Sequence, residues 1–146
     1  MPWLFQEEDL DGCVELYGET FAAAPWNEVW APEVVRARLE QIVRTPGFYG
    51  VVMEPEEGGL NGFALGISEP WHEGTHFYLK EMCVSPGYQR QGVGTALMAA
   101  LSEALEDRDT KRIYLLTARG DLSEAFYAKQ GFYVSPKMIL MARRKE

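Results

Sequence analysis

Cysteine is scarce in this 146-residue sequence, with Cys13 and Cys83 the only two. They lie far apart and in no C-x-x-C pair, which excludes a disulfide framework and points to free thiols in a reducing compartment. Basic residues are in deficit as well, 14 Lys and Arg against 22 Asp and Glu, for a net charge of −8 at pH 7. A nucleic-acid partner is excluded, because phosphates must be neutralised by Lys and Arg. A cationic small molecule suits an acidic surface better. No apolar run approaches the roughly 20 residues that cross a bilayer. The first residues lack a basic stretch followed by a long apolar one, so neither a signal peptide nor a membrane partner is expected, and the expected location is cytoplasmic. Repeats, low-complexity segments and linkers are missing too, and no metal is expected.

The residues that are present, 47% hydrophobic and 25% charged, are those of a soluble globular protein. The length suits a single domain over residues 1–146 with a sizeable core. The opening PWLF reads as a short strand. From Asp9 to Ala22 the apolar residues Leu10, Cys13, Val14, Leu16, Tyr17 and Phe21 recur at helical spacing. A second helix starts at Pro32, where a missing N–H costs nothing, carries Val34, Val35, Leu39, Ile42 and Val43, and stops near Arg44.

The period then shortens. GFYGVVME and LNGFALGIS flank a PEEGG turn as a hairpin, and THFYLKEMCV is a third, longer strand. A helix follows with Val93, Leu97, Ala100, Leu101, Ala104 and Leu105 on one face, then RIYLLTA as a buried strand. DLSEAFYAKQGF reads as a short helix, with Asp121 and Glu124 at capping-box spacing and Gly131 as its stop. FYVSPKMILMA is expected as a last strand before a solvated RRKE tail. The order β-α-α-β-β-β-α-β-α-β is that of an α/β domain around a mixed sheet.

The stretch SPGYQRQGVGTALM, residues 85–98, joins a strand to a helix through a glycine turn. Unpaired N–H groups and the helix dipole meet there, so the turn suits an anion, most often a phosphate. Gly94 is followed by Thr95 without the lysine of a P-loop, and the third glycine of the dinucleotide fingerprint is missing. Gln89-x-x-Gly92-x-Gly94, with FYAKQGF downstream, instead resembles the GNAT superfamily of acetyl-CoA-dependent N-acetyltransferases. FYLKEMCVSP and PWNEVW are similar to its branch of aminoglycoside and small-amine acetyltransferases.

That resemblance implies acetyl-CoA as the cofactor. Its pyrophosphate would be held by Gln89, Arg90, Gln91, Gly92, Val93, Gly94 and Thr95, and its pantetheine arm by the backbone of Met82, Cys83 and Val84. It also implies that the Val84 N–H faces the thioester carbonyl, and that Tyr127 gives a proton to the departing sulfur. The alternative for Tyr127 is an aromatic packed against Phe126 and Phe132. Glu81 is the candidate base, directly or through water. Many relatives carry that carboxylate one residue earlier, where this chain has Lys80, and a strand bulge would change the face that Glu81 meets. The alternative for Glu81 is a structural ion pair.

Cys83 as a nucleophile would need an activator not found in the sequence, so a buried small hydrophobe is the simpler reading. Trp26, Glu28, Trp30, Trp71 and His72 are candidates for holding a cationic amine by cation–π contact and charge; otherwise the tryptophans cover the sheet. The implied reaction is direct transfer of acetyl to a small cationic amine or amino sugar in a ternary complex. Family members are frequently homodimers. The rival readings are an acyl-CoA-binding regulatory module without chemistry and a nucleotide binder.

Overall fold

The computed structural model describes residues 1–145. Its elements run β1 (Pro2–Leu4), α1 (Leu10–Ala22), α2 (Pro32–Val43), β2 (Phe48–Met53), β3 (Gly62–Pro70), β4 (Thr75–Val84), α3 (Val93–Glu106), β5 (Thr110–Leu115) and α4 (Leu122–Lys129). They fall into two compact units, Met1–Leu116 and Thr117–Glu146.

The first unit is built on a five-stranded sheet in the order β1-β2-β3-β4-β5. Its neighbours are antiparallel except β4 and β5, which run parallel. Parallel neighbours need a crossover, and α3 supplies it. The mixed α/β sheet read from the sequence is therefore what the chain forms.

Helical spacing puts Leu10, Cys13, Leu16 and Tyr17 of α1 beside Val35, Leu39 and Ile42 of α2, in one buried cluster with Val52, Phe63, Leu65 and Cys83 of the sheet. Each such side chain, fully buried, stabilises the fold by about 1.5–3 kcal/mol. On the opposite face α3 lies close to β3. A Cβ on Gly62 would come within 2.8 Å of both Leu97 and Val93.

Two expectations need correction. The RIYLLTA segment is not buried: β5 spans Thr110–Leu115, and Tyr114 and Leu116 are exposed. It is an edge strand, paired among the described residues with β4 alone, so its outer side has no neighbouring strand to cover it. The last strand expected over 132–142 does not form, and Tyr133, Val134 and Met138 to Met141 are exposed. Pro136 brings no N–H to a ladder. Ser135 Oγ accepts the N–H groups of Lys137 at 3.3 Å and Met138 at 3.1 Å, a local turn that competes with extended structure.

In the second unit α4 begins after Asp121, but the capping box is altered. Glu124 accepts the Gly120 N–H at 2.6 Å, and Asp121 makes no side-chain cap. Gly131 ends the helix with φ +94°, as its position predicts.

Candidate functional site

β4 is the spine of the site. Its pairing with β5 runs from Thr75 opposite Thr110 to Leu79 opposite Leu115 and then stops, so Lys80 to Val84 have no β5 neighbour. On the other side β4 stays paired with β3 to Val84. The Ser85 N–H donates to the Asn61 carbonyl at 2.8 Å. Ladder bonds alternate in an antiparallel pair, so Cys83 directs its N–H and C=O at Phe63. Those of Met82 and Val84 turn to the side that β5 has left. Of the three candidates at 82–84, two therefore offer backbone groups on that side, and the Cys83 backbone belongs to the sheet.

A bulge lies just before this stretch. Leu65 is opposite Glu81 and Gly66 is opposite Leu79, so Lys80 is the extra residue. The bulge changes the face of the strand. Leu79 shares the α3 face with Gly66, whereas Glu81 and Cys83 share the α1–α2 face with Leu65 and Phe63. Sequence alone put Glu81 one position away from its usual place; the inserted residue places its side chain among the helices.

There Glu81 is 8% exposed and receives Arg38 of α2, whose Nε and one terminal nitrogen each lie 2.5 Å from Oε1. Burial pushes the Glu81 carboxyl above the ordinary carboxylate range, and the Arg38 charge and hydrogen bond oppose that push. The buried Tyr17 of α1 lies beside the same guanidinium. Tyr17 has its hydroxyl pushed up by burial and by the Glu81 charge. Sequence reasoning missed Arg38 and Tyr17. A cation inside the apolar stripe of Val35, Leu39 and Ile42 was the available signal.

Trp26, Glu28 and Trp30 converge nearby. Trp30 meets Tyr17 edge-on at 5.2 Å, Trp26 meets Phe21 at 5.1 Å, and Trp30 Nε1 donates to Glu28 at 3.2 Å. Trp71 and His72 belong elsewhere. They line an open pocket of about 270 Å³ with Glu73, His76, Lys111 and Arg112, in which Trp71 stacks on His76 at 4.5 Å. Between the two groups, Tyr78 and Tyr114 stack at 4.6 Å, and the Tyr114 hydroxyl donates to Glu69 at 2.6 Å.

The turn after β4 is stiffened from within. Gln89 Nε2 donates to the Val84 carbonyl at 3.2 Å and Gln91 Nε2 to the Gly87 carbonyl at 3.1 Å. The Tyr88 hydroxyl donates to Glu57 in the β2–β3 turn at 2.8 Å. Arg90 and Gly92 are left-handed, with φ +66° and +84°, and Gly92 is the N-cap of α3. The first bond of the helix runs from the Ala96 N–H to the Gly92 carbonyl at 2.9 Å, so the amides of Val93 and Gly94 precede the intrahelical ladder. Arg90 is exposed and makes no ion pair among the described residues.

Cys83 is 2% exposed, and burial, with the Glu81 charge added, pushes its thiol far up, so no thiolate is available for nucleophilic attack. In the second unit Tyr127 packs against Phe126 at 5.2 Å and Phe132 at 5.5 Å between ring centroids. Among the described residues no group of three or more His, Cys, Asp or Glu could hold a metal, and no helix is long and apolar enough to cross a membrane.

Strand, bulge, turn and helix thus meet at the splayed end of β4, and the chain can be compared with known proteins. Residues 10–132 match the acetyltransferase (GNAT) family, and the chain belongs to that family. A probable acetyltransferase of Glycine max, TAP2, is 35% identical over 103 residues, covering 70% of this chain and 38% of its own length. The chain thus spans well under half of that curated relative. Among solved structures, a probable acetyltransferase superposes with a TM-score of 0.81 at 17% identity, over 100% of this chain and 98% of the other. The aminoglycoside N-acetyltransferase AAC(6')-Iy in complex with CoA superposes with a TM-score of 0.76 at 16% identity, over 99% and 95%. At these identities the structural likeness concerns the fold.

Proposed function

We propose that this chain is an N-acetyltransferase that moves the acetyl group of acetyl-CoA to a primary amine by direct attack in a ternary complex. The observation that carries the reading is the splayed end of β4, where the Met82 and Val84 backbone opens beside the start of α3. The residues present fit the cofactor. A Cβ built on Gly92 meets nothing within 4 Å, which leaves room for a bulky anion against the helix start. When bound, acetyl-CoA supplies an activated acyl group and a thiol leaving group.

The chain's residues then have separable tasks. The amides of Gln89 to Thr95 and the Arg90 guanidinium hold the pyrophosphate. The backbone of Met82 and Val84 lines the pantetheine arm, and the Val84 N–H donates to the oxygen on which negative charge develops. Glu81 takes the proton that an ammonium with a pKa near ~10 must lose before it attacks. Tyr127 gives a proton to the departing sulfur. The raised Cys83 thiol supports direct transfer over an acetyl-cysteine route.

The acceptor is a small cationic amine or amino sugar. Its ammonium belongs on the Trp26–Glu28–Trp30 side, because the pocket at Trp71 and His72 carries Lys111 and Arg112. Relatives with aminoglycoside acetyltransferase names support the class.

The test is thiol release from acetyl-CoA across a panel of amines. Release that saturates with an amine supports the enzyme. Saturable CoA binding without release for any amine would favour a regulatory module. Tyr127→Phe is expected to lower kcat by ~10²-fold while acetyl-CoA binding stays the same. Undiminished turnover in that variant would remove Tyr127 from the mechanism.

A further inference from the structure

The Glu81 carboxylate is held asymmetrically. Arg38 Nε donates to Oε1 at 2.5 Å, a terminal nitrogen of the same guanidinium lies 2.5 Å from that oxygen as an ion pair, and no hydrogen bond reaches Oε2 among the described residues. The Arg38 side chain is 43% exposed and that of Glu81 is 9% exposed, so a half-exposed guanidinium reaches in to a buried carboxylate on the helix face of the sheet. We propose that Arg38 is a positioning residue, which fixes Glu81 by one oxygen and leaves the other to take the proton of the attacking ammonium. This rests on Glu81 as the base. In that step an N–H bond of the ammonium breaks, an O–H bond forms on Oε2, and the nitrogen lone pair is freed for attack.

The surroundings make the clamp necessary. Across the strand pair Glu81 faces Leu65, and its neighbour Cys83 is apolar and uncharged. From α1 comes Tyr17, whose hydroxyl is pushed up by burial and which lies beside the same guanidinium. From β4 itself come Tyr78, also raised, and Lys80, exposed and set 4.9 Å over the Tyr78 ring. Glu28 adds negative charge near Tyr17. Arg38 is the strongest influence favouring the ionised form, with Lys80 adding a smaller one. Without Arg38, burial would act on the carboxyl almost unopposed and push it further up, towards the protonated form that cannot accept.

The sign of the pH effect follows. A base must be ionised, so activity falls as pH drops through the Glu81 midpoint. Removing Arg38 moves that acidic limb to higher pH. The experiment follows the Glu81 side-chain carboxyl by carbon-13 NMR against pH in the full chain, with Glu81→Gln assigning the signal. Arg38→Gln is expected to raise the midpoint by about 1–3 units. Its kcat at fixed pH should fall about tenfold for each unit by which the midpoint passes that pH, with the Kd for acetyl-CoA unchanged. Arg38→Lys restores a cation without the fork, and should recover part of both effects.

An unmoved midpoint in Arg38→Gln, or wild-type kcat at every pH, overturns the proposal. Should Arg38→Gln fail to fold, Arg38→Lys decides alone. An intermediate midpoint with lowered kcat supports the clamp, and wild-type values overturn it. Failure of the underlying reading looks different. Full thiol release by Glu81→Gln would remove the base itself, even where the NMR midpoint still follows Arg38.

Discussion

Gly92→Glu is expected to weaken coenzyme A binding by about 10²- to 10³-fold in Kd while the protein stays folded. Two opposing terms keep it folded. Gly92 has φ +84° at the N-cap of α3, so any side chain there meets left-handed strain of about 1–2 kcal/mol. An acid at a helix N-terminus returns about 0.3–1 kcal/mol through the dipole. No atom blocks a Cβ, which would lie in open space. The effect on the ligand has the other sign. Two like charges about 4 Å apart near a protein surface repel by about 4 kcal/mol, and the new carboxylate would compete with the pyrophosphate for the same amides. Isothermal titration with CoA measures the loss. Gly92→Ala separates the terms, since it adds the strain without the charge and should weaken binding far less. Unchanged affinity in Gly92→Glu would move the cofactor away from this turn.

Gly66→Ala should be the most damaging single methyl in the sheet. A Cβ there would stand 2.3 Å from the Tyr78 carbonyl oxygen and 2.5 Å from the Phe77 ring. The obstacle is the backbone of β4, which cannot swing away as the end of a flexible side chain can. Overpacking of this kind costs about 3 kcal/mol, and that lowers Tm by about 6–12 °C for a chain of this size. The position also matters to the site, because Gly66 lies at the register shift that precedes Glu81. Pushing β4 away there should loosen the bulge and the Glu81–Arg38 contact with it. Gly18→Ala is the control. Gly18 lies inside α1 with nothing within 4 Å of a Cβ, so alanine should stabilise by about 0.5–1 kcal/mol. Thermal unfolding of both variants checks the pair; equal stability for Gly66→Ala would mean that the bulge is not pinned from β3.

Much of this was legible in advance because it depends on local chemistry. Helix spacing located α1 and α2 to within a residue or two, and Pro32 marked the start of α2, since a proline at a first helical position loses no hydrogen bond. The glycine turn was legible for the same reason: left-handed φ and bare amides follow from residue type. The last strand misled because FYVSPKMILMA has strand-like composition, whereas Pro136 and the Ser135 hydroxyl set up a turn. RIYLLTA was misjudged because an apolar run does not reveal whether its strand has one neighbour or two.

By itself, then, the sequence determined the family, the order of the central elements and the turn at 85–95, since each is carried by neighbouring residues. Tertiary structure alone decided which way Glu81 faces, that Arg38 and Tyr17 meet it, and that Trp71 and His72 part from Trp26 and Trp30. Those outcomes depend on one extra residue at Lys80 and on the pairing of β4 with β3 and β5. A one-residue shift in a strand moves a side chain to the opposite face of the sheet, and no local pattern around Glu81 encodes its partner's register.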